Sequence, residues 1–426
     1  MFQTPNQEDH IRLRKQPVEY FDWSTFLITI LIIVFGLISI YSATYDSGMS
    51  GYFFRQLIYS GVGIAVLFTF MFLPERWLVN FSYIVYIITL VMLIGVLFFG
   101  YEVYGTKGWF QIAGFSIQPA EFAKLSTLMV IAQHLSRKGT NIKTIRDFGI
   151  VFGLILVPVI LIFIQPDLGS STVLLALFLG ILYWTGYDIL IVFFVTSVPV
   201  VFVSSLMNTA YLIASVSVYA IIAALLRRRI ILTFLSILLI FGIGYISPIL
   251  VNNLKPHQKN RIETFLYPDK DPLGKGYNVI QSKLAVGSGG LAGKGFLQGT
   301  QTQLRYIPKQ WTDFIFCVPA EEFGFIGGAF VILLLILLVL KGVKIAYEVD
   351  SMYFSIVCFG SSIIFFYHTV VNVGMVLGLV PVMGIPLPFM SYGGSSLLVN
   401  CAMVGFILNA YRTKKLIKKP KDMINY

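Results

Sequence analysis

Twelve apolar stretches of about 20 residues each punctuate this chain, near 24–43, 53–73, 78–100, 119–135, 148–165, 171–186, 190–205, 209–225, 230–251, 319–341, 353–379 and 391–411, and that repeat decides the fold class before any single residue does. A helix rises 1.5 Å per residue, so ~20 residues match the roughly 30 Å hydrocarbon core of a bilayer. With 57% hydrophobic and 12% charged residues, the chain has far more apolar surface than a water-soluble domain can hide. The expected fold is all-α, a polytopic membrane helical bundle of about 12 spans. The stretches at 190–205 and 209–225 are short and closely spaced, and read equally as one re-entrant or tilted pair. The polar segment 1–22 is too long, and the first apolar stretch too late, for a cleaved signal peptide, so the first helix is expected to remain as an anchor.

Basic residues give the orientation. Arg12, Arg14 and Lys15 precede the first span, Arg137, Lys138, Lys143 and Arg146 follow the fourth, Arg227 to Arg229 follow the eighth, and Lys341 and Lys344 close the tenth. Arg412, Lys414, Lys415, Lys418, Lys419 and Lys421 follow the last. With an even number of spans these fall on one side, which makes both termini cytoplasmic and sets off 1–22 and 413–426 as cytoplasmic tails around a membrane domain, 23–412. One long extracytoplasmic loop, 252–318, is basic as well, and exceeds the length over which the charge rule operates. An exterior basic surface suits an anionic ligand such as a lipid diphosphate, and equally suits a solvated loop.

The net charge of +11 does not point to nucleic acid, because the basic residues sit in short runs between apolar spans. Cys317, Cys358 and Cys401 have neither paired spacing nor a histidine cluster, which argues against a disulfide framework or a zinc site. The glycines from Gly274 to Gly299 do not form a nucleotide-phosphate loop. Around Gly293-Lys294, Ser288 stands where the first glycine belongs and Gly295 where Ser or Thr belongs. Loop flexibility is the expectation for most of them, with close backbone approach to a ligand at some.

Ionisable groups at bilayer depth cost about 2.5–3.5 kcal/mol each on insertion scales, so the few present are informative. Glu121 and Lys124 lie three apart in Gln118-Pro119-Ala120-Glu121-Phe122-Ala123-Lys124, where Pro119 suits a first helical turn. They read either as a helix-end ion pair or as part of a catalytic cavity. Asp167, after Gln165-Pro166, is placed to cap the helix that follows. Asp313, in Trp311-Thr312-Asp313-Phe314, reads either as a helix cap or as a base held at the membrane surface. The run Pro381 to Ser396 contains three prolines and three glycines and cannot be one helix, so it is expected to line a protein-covered or water-filled cavity.

These motifs resemble the SEDS family (shape, elongation, division and sporulation). The resemblance runs from Asp22-Trp23 to Pro388-Phe389-Met390-Ser391-Tyr392-Gly393-Gly394-Ser395-Ser396, through Gln165 to Gly169, Asp271 to Tyr277, Gln281-Ser282, Gly287 to Gly295, Gly299 to Gln301 and Thr312 to Phe316. The form Gly384-Ile385-Pro386-Leu387-Pro388-Phe389 is similar to the elongation branch more than to the division branch. Such proteins usually have ten membrane helices, so twelve here implies an extra hairpin near 190–250 on a ten-helix core. The resemblance implies a peptidoglycan glycosyltransferase that polymerises lipid II on the outer face of the bacterial cytoplasmic membrane, with a class B penicillin-binding protein as partner. It makes Asp313 the essential aspartate, Glu121 and Lys124 a conserved polar pair, and Asp167 another recurrent acid. Ser391, inside the last signature, joins the supporting residues. Lys309 and Trp311 stand where many members have Glu and His, and Gly108 where many have Arg, so those roles do not carry over.

In that reaction the 4-hydroxyl of one sugar attacks the anomeric carbon of another, lipid diphosphate leaves, and the α link becomes β. A diphosphate leaves without protonation, so one base suffices, and Asp313 is expected to fill that role or to orient the acceptor. Lys124, Arg261 and Lys283 would stabilise the diphosphate charge, with Glu121 holding Lys124. A divalent cation would share that task, though only scattered carboxylates support one. A lipid flippase or transporter is the competing class, since interrupted helices and intramembrane charge pairs serve transport as well. A scaffold that only recruits other enzymes is the third.

Overall fold

A computed structural model describes residues 21–45, 50–103, 106–112, 115–187, 189–225, 230–252, 265–267, 270–272, 274 and 276–418. Each expected span overlaps a long helix: α1 Trp23–Thr44, α2 Ser50–Phe72, α3 Glu75–Phe99, α4 Pro119–Leu135, α5 Ile145–Ile164, α6 Leu168–Trp184, α7 Ile189–Met207, α8 Thr209–Leu225, α9 Ile230–Asn252, α13 Gly324–Glu348, α14 Met352–Val376 and α15 Gly394–Lys418. Among the described residues, seven of these (α1, α2, α3, α5, α13, α14 and α15) are long and apolar enough to cross a membrane, and α6, α8 and portions of α7 and α9 form shorter apolar helices. The exception is α4, which carries the Glu121–Lys124 pair. Three short helices lie outside the spans: α10 Tyr277–Ser288, α11 Thr300–Gln303 and α12 Cys317–Glu322.

Local sequence starts several helices. Asp22 Oδ1 accepts from the Ser24 and Thr25 amides at the start of α1. Pro119 occupies the first turn of α4, where its missing N–H costs nothing. The largest departure from a bundle of uninterrupted helices is at 317–324. The span expected from residue 319 is broken, with α12 ending at Glu322 and α13 beginning at Gly324, whose φ is +65°. The cause is polar: the Lys294 and Gly295 amides donate to the Glu321 and Glu322 carbonyls, and the Phe325 amide donates to Gly290. The loop 289–295 is thereby stitched onto the helix break. Gly289 and Gly293 are close-approach positions and not merely flexible ones, since a Cβ at either would overlap the carbonyl oxygen of Ala320 or Glu322.

A small antiparallel meander, β1 Tyr101–Val103, β2 Thr106–Ile112 and β3 Phe115–Ile117, joins α3 to α4. It was not expected from the helical pattern and is too short to change the all-α class. At the centre of the bundle are α14 and α15, 78% and 83% buried over their most apolar stretch, against 22% and 28% for α2 and α3. Thus α15 lies along α2, and α14 contacts α6, α13 and α4. Helices α7, α8 and α9 pack on one another around Tyr219, Leu212 and Ile240, forming a second core that reaches the main one through α6 and α7.

Polar contacts divide the bundle into two ends. At one end Ser42 donates to Glu322, Gln56 bonds the Ser391 carbonyl and the Gly393 amide, the Gln118 amide donates to Ser395, and Ser282 donates to the Val376 carbonyl. At the other, Asn409 donates to the Phe70 and Leu73 carbonyls, Ser351 to Glu75, Lys341 to Ser24 and Lys414 to Glu348. The signature motifs gather at the first end.

Candidate functional site

Asp313 lies in the turns that lead into α12, half-buried between Phe314 and Thr312. It does not cap a helix: α12 begins at Cys317 with Phe316 as its N-cap. Among the described residues no donor bonds its carboxylate. Burial first, and then the nearby Asp167 carboxylate, push its pKa up from the ordinary aspartate value to about 6. A carboxyl group in that state gives and takes a proton near neutral pH, as a general base must.

Its backbone is fixed more firmly than its side chain. Asn372, fully buried on α14, donates its amide at 2.8 Å both to the Asp313 carbonyl and to the Ile385 carbonyl. This joins the Asp313 turn to the signature segment that follows α14. Residues 381–387 of that segment are irregular and 388–392 turn into α15, because its prolines cannot supply the N–H groups that a helix needs. Gly384 adopts φ +67°, and a Cβ there would lie 3.5 Å from Asp313 Oδ2. The bend therefore leaves the space beside the carboxylate free of any side chain from this position. The Tyr392 amide donates to the Trp311 carbonyl at 2.9 Å, and Tyr52 packs against both rings, 5.2 Å from Trp311 and 5.0 Å from Tyr392.

Asp167 caps α6 as its position suggests, accepting from the Ser170 amide at 2.9 Å and the Ser170 hydroxyl at 2.8 Å. It also takes the Gln118 side-chain amide at 3.1 Å. These three donors keep a carboxylate half-exposed beside Asp313.

Glu121 and Lys124 form the expected pair, 2.7 Å apart and only 3% and 2% exposed. Lys124 does more than pair: its ammonium is 3.2 Å from His368 Nε2, and His368 Nδ1 is 2.9 Å from the Pro386 carbonyl. The expectation that Lys124 faces a diphosphate therefore meets a side chain already engaged on two sides. His368 and Asn372 were missed in the sequence, because a lone polar residue within the apolar run of α14 carries no motif.

The remaining candidates are spread around the same end. Lys283, exposed on α10, runs over Gly378, where a Cβ would overlap its side chain. It forms no ion pair among the described residues. Ser391 is buried, its hydroxyl accepting from the Leu387 amide at 2.8 Å, so it closes the turn before α15 and does not face open space. Arg261, like Lys255, Lys259, Lys275, Arg227 to Arg229 and the tail residues Arg12, Arg14, Lys15, Lys419 and Lys421, lies outside the described residues. For a divalent cation the site offers Asp313 and Asp167, and among the described residues no group of three acidic, His or Cys side chains is placed to hold one. A cavity of about 530 Å³ lies beside α10, α13 and α14. Its lining is apolar, from Val286 and Phe316 to Ile336 and Val373, and includes none of Asp313, Asp167, Glu121, Lys124, Lys283 and Ser391.

Residues 22–228 and 187–416 match the family model of FtsW, RodA and SpoVE, described as cell cycle protein, and the two stretches overlap across α7 and α8. The chain is 32% identical over 401 residues to the peptidoglycan glycosyltransferase MrdB of Escherichia coli, covering 94% of this chain and 96% of that one. It is 34% identical over 395 residues to stage V sporulation protein E of Bacillus subtilis, covering 91% and 95%. Among solved structures it resembles a chain of a peptidoglycan synthase complex described as coordinating polymerization and crosslinking, with a TM-score of 0.70, 30% identity and coverage of 92% and 98%. It also resembles the rod shape determining protein RodA of Thermus thermophilus, with a TM-score of 0.61, 25% identity and coverage of 92% and 97%.

Proposed function

Since the chain belongs to the SEDS family of FtsW, RodA and SpoVE, we infer that it is a RodA-like peptidoglycan glycosyltransferase of the bacterial inner membrane, with Asp313 as its general base. The observation that carries the assignment of Asp313 is a half-buried carboxylate, free of donors among the described residues, with a pKa pushed up to about 6 beside Asp167. Such a group accepts the proton of the acceptor sugar's 4-hydroxyl as oxygen attacks the anomeric carbon of the donor. Diphosphate leaves with the electron pair, and the configuration inverts.

The substrate is lipid II, polymerised at the end of the bundle that gathers the signature motifs, which we place outside the cell with both termini in the cytoplasm. The described basic residues Arg137, Lys138, Lys143, Arg146, Arg412 and Lys414 lie around the other end, in accord with that orientation. Lys283 and Arg261 are the cations assigned to the diphosphate. Lys124 is assigned to positioning, because its ammonium is engaged by Glu121 and His368. A class B penicillin-binding protein is the proposed partner that cross-links the product. Its support is the likeness to a complex in which polymerization and crosslinking are coordinated.

The test is polymerisation of lipid II in detergent by the full chain with its partner. The parent should make glycan strands and Asp313→Asn should make none at a detectable rate. An Asp313→Asn protein that is folded, partner-bound and as active as the parent would remove Asp313 from the chemistry. A flippase would yield no polymer in detergent with either protein.

A further inference from the structure

We propose that His368 is a positioning residue for Asp313, tying the buried Glu121–Lys124 pair to the Pro386 carbonyl and so holding the Gly384 bend against the Asp313 turn. The proposal rests on the reading of Asp313 given above and assigns the pair a place in the same site.

The chain of contacts is continuous. The Lys124 ammonium has three protons; one goes to Glu121 Oε1 at 2.7 Å and one to His368 Nε2 at 3.2 Å. For Nε2 to accept, its lone pair must be free, which puts the imidazole proton on Nδ1. That proton is donated to the Pro386 carbonyl at 2.9 Å. Lys124 thereby selects the tautomer, and the tautomer selects the acceptor. Four residues on, and on the same face of α14, Asn372 donates to the neighbouring Ile385 carbonyl and to Asp313 itself. Two adjacent carbonyls of an irregular segment are thus held from one helix face. Ile385 is buried and Pro386 half-buried, and carbonyls without helical partners need such donors away from water.

The consequence reaches the carboxylate through Gly384, which precedes the two clamped carbonyls and whose Cβ direction points toward Asp313 Oδ2. If the Pro386 carbonyl is released, the peptide before it is free to turn about its remaining Asn372 bond, and the bend no longer has one position. A buried Glu–Lys–His chain is also a costly way merely to fill space, since apolar residues of similar volume would do that at least as well.

Full-length protein with its partner, lipid II in detergent, and a pH series provide the test. His368→Leu removes both contacts and should lower kcat about 10–100-fold, the scale of a misplacement near 1 Å, with KM for lipid II within about twofold and the acid limb of the pH profile displaced. His368→Gln supplies one acceptor and one donor, and should stay within about threefold of the parent with the limb in place. Should the leucine variant fail to fold, His368→Asn, too short to reach both partners, replaces it and is expected to show the same loss. Parent-like kcat and pH limb in the leucine variant would overturn the proposal, as would equal losses in the leucine and glutamine variants. Asp313→Asn is run in parallel. Inactive Asp313→Asn beside an unaffected leucine variant overturns the positioning role alone, whereas an active Asp313→Asn sinks the reading of Asp313 and this proposal together.

Discussion

Replacing Asp167 by asparagine removes one negative charge beside Asp313 and turns the oxygen that accepts from the Ser170 hydroxyl and the Gln118 side-chain amide into a donor, while keeping the helix cap. Asparagine is as good an N-cap as aspartate, so its side-chain oxygen still accepts from the Ser170 amide and α6 keeps its start. The pKa of Asp313 stands at about 6 against an ordinary 3.8, with burial as the larger cause and Asp167 as the second. The charge of Asp167 therefore accounts for less than half of that rise, and its loss should lower the pKa by roughly half to one pH unit. The sign is definite: a general base works ionised, and removing a neighbouring anion makes ionisation easier, so the acid limb of the rate profile moves to lower pH. At pH 5 the parent has roughly a tenth of Asp313 ionised, whereas the variant would have roughly a quarter to a half. Relative to its own plateau, the variant should then retain about 2.5–5-fold more activity at pH 5 than the parent. The assay is lipid II polymerisation from pH 5 to 8, each profile normalised to its plateau, so a lower absolute rate does not obscure the midpoint. A limb that stays in place or moves to higher pH would refute the coupling between the two carboxylates.

Two further perturbations probe the architecture around the site. Gly293→Ala places a Cβ on the Glu322 carbonyl at φ +83°, so thermal unfolding in detergent should show a loss of about 1–3 kcal/mol, whereas Gly287→Ala, which meets nothing within 4 Å, should stay within about 0.5 kcal/mol. Equal effects of the two would show that the loop is not seated on α12 as described. Ser391→Ala strands the buried Leu387 amide and should cost about 1–3 kcal/mol of stability while leaving KM for lipid II unchanged; a raised KM at undiminished stability would instead make Ser391 a substrate contact.

The apolar repeat by itself determined that the chain is a membrane bundle, and it located most of the long helices to within a few residues, missing the ends of α13 and α15 by seven, because a bilayer demands apolar length and internally satisfied backbone wherever the chain crosses. The i,i+3 spacing of Glu121 and Lys124, the capping position of Asp167 and the proline-rich break after α14 were legible for the same local reason: each depends on residues a few positions apart. Tertiary contacts decided what local sequence left open or placed differently. Asp313 is no helix cap, the helix expected from residue 319 breaks at Gly324, and Ser391 is used within a turn. Nor does local sequence reveal that Asp167 lies beside Asp313, or that Lys124 meets His368, 244 residues away. Those contacts exist because α14 packs against α4 and α6 in the centre of the bundle. A polar side chain buried there acquires its partner from whichever helix faces it, so its role is written in the packing and not in its neighbours along the chain.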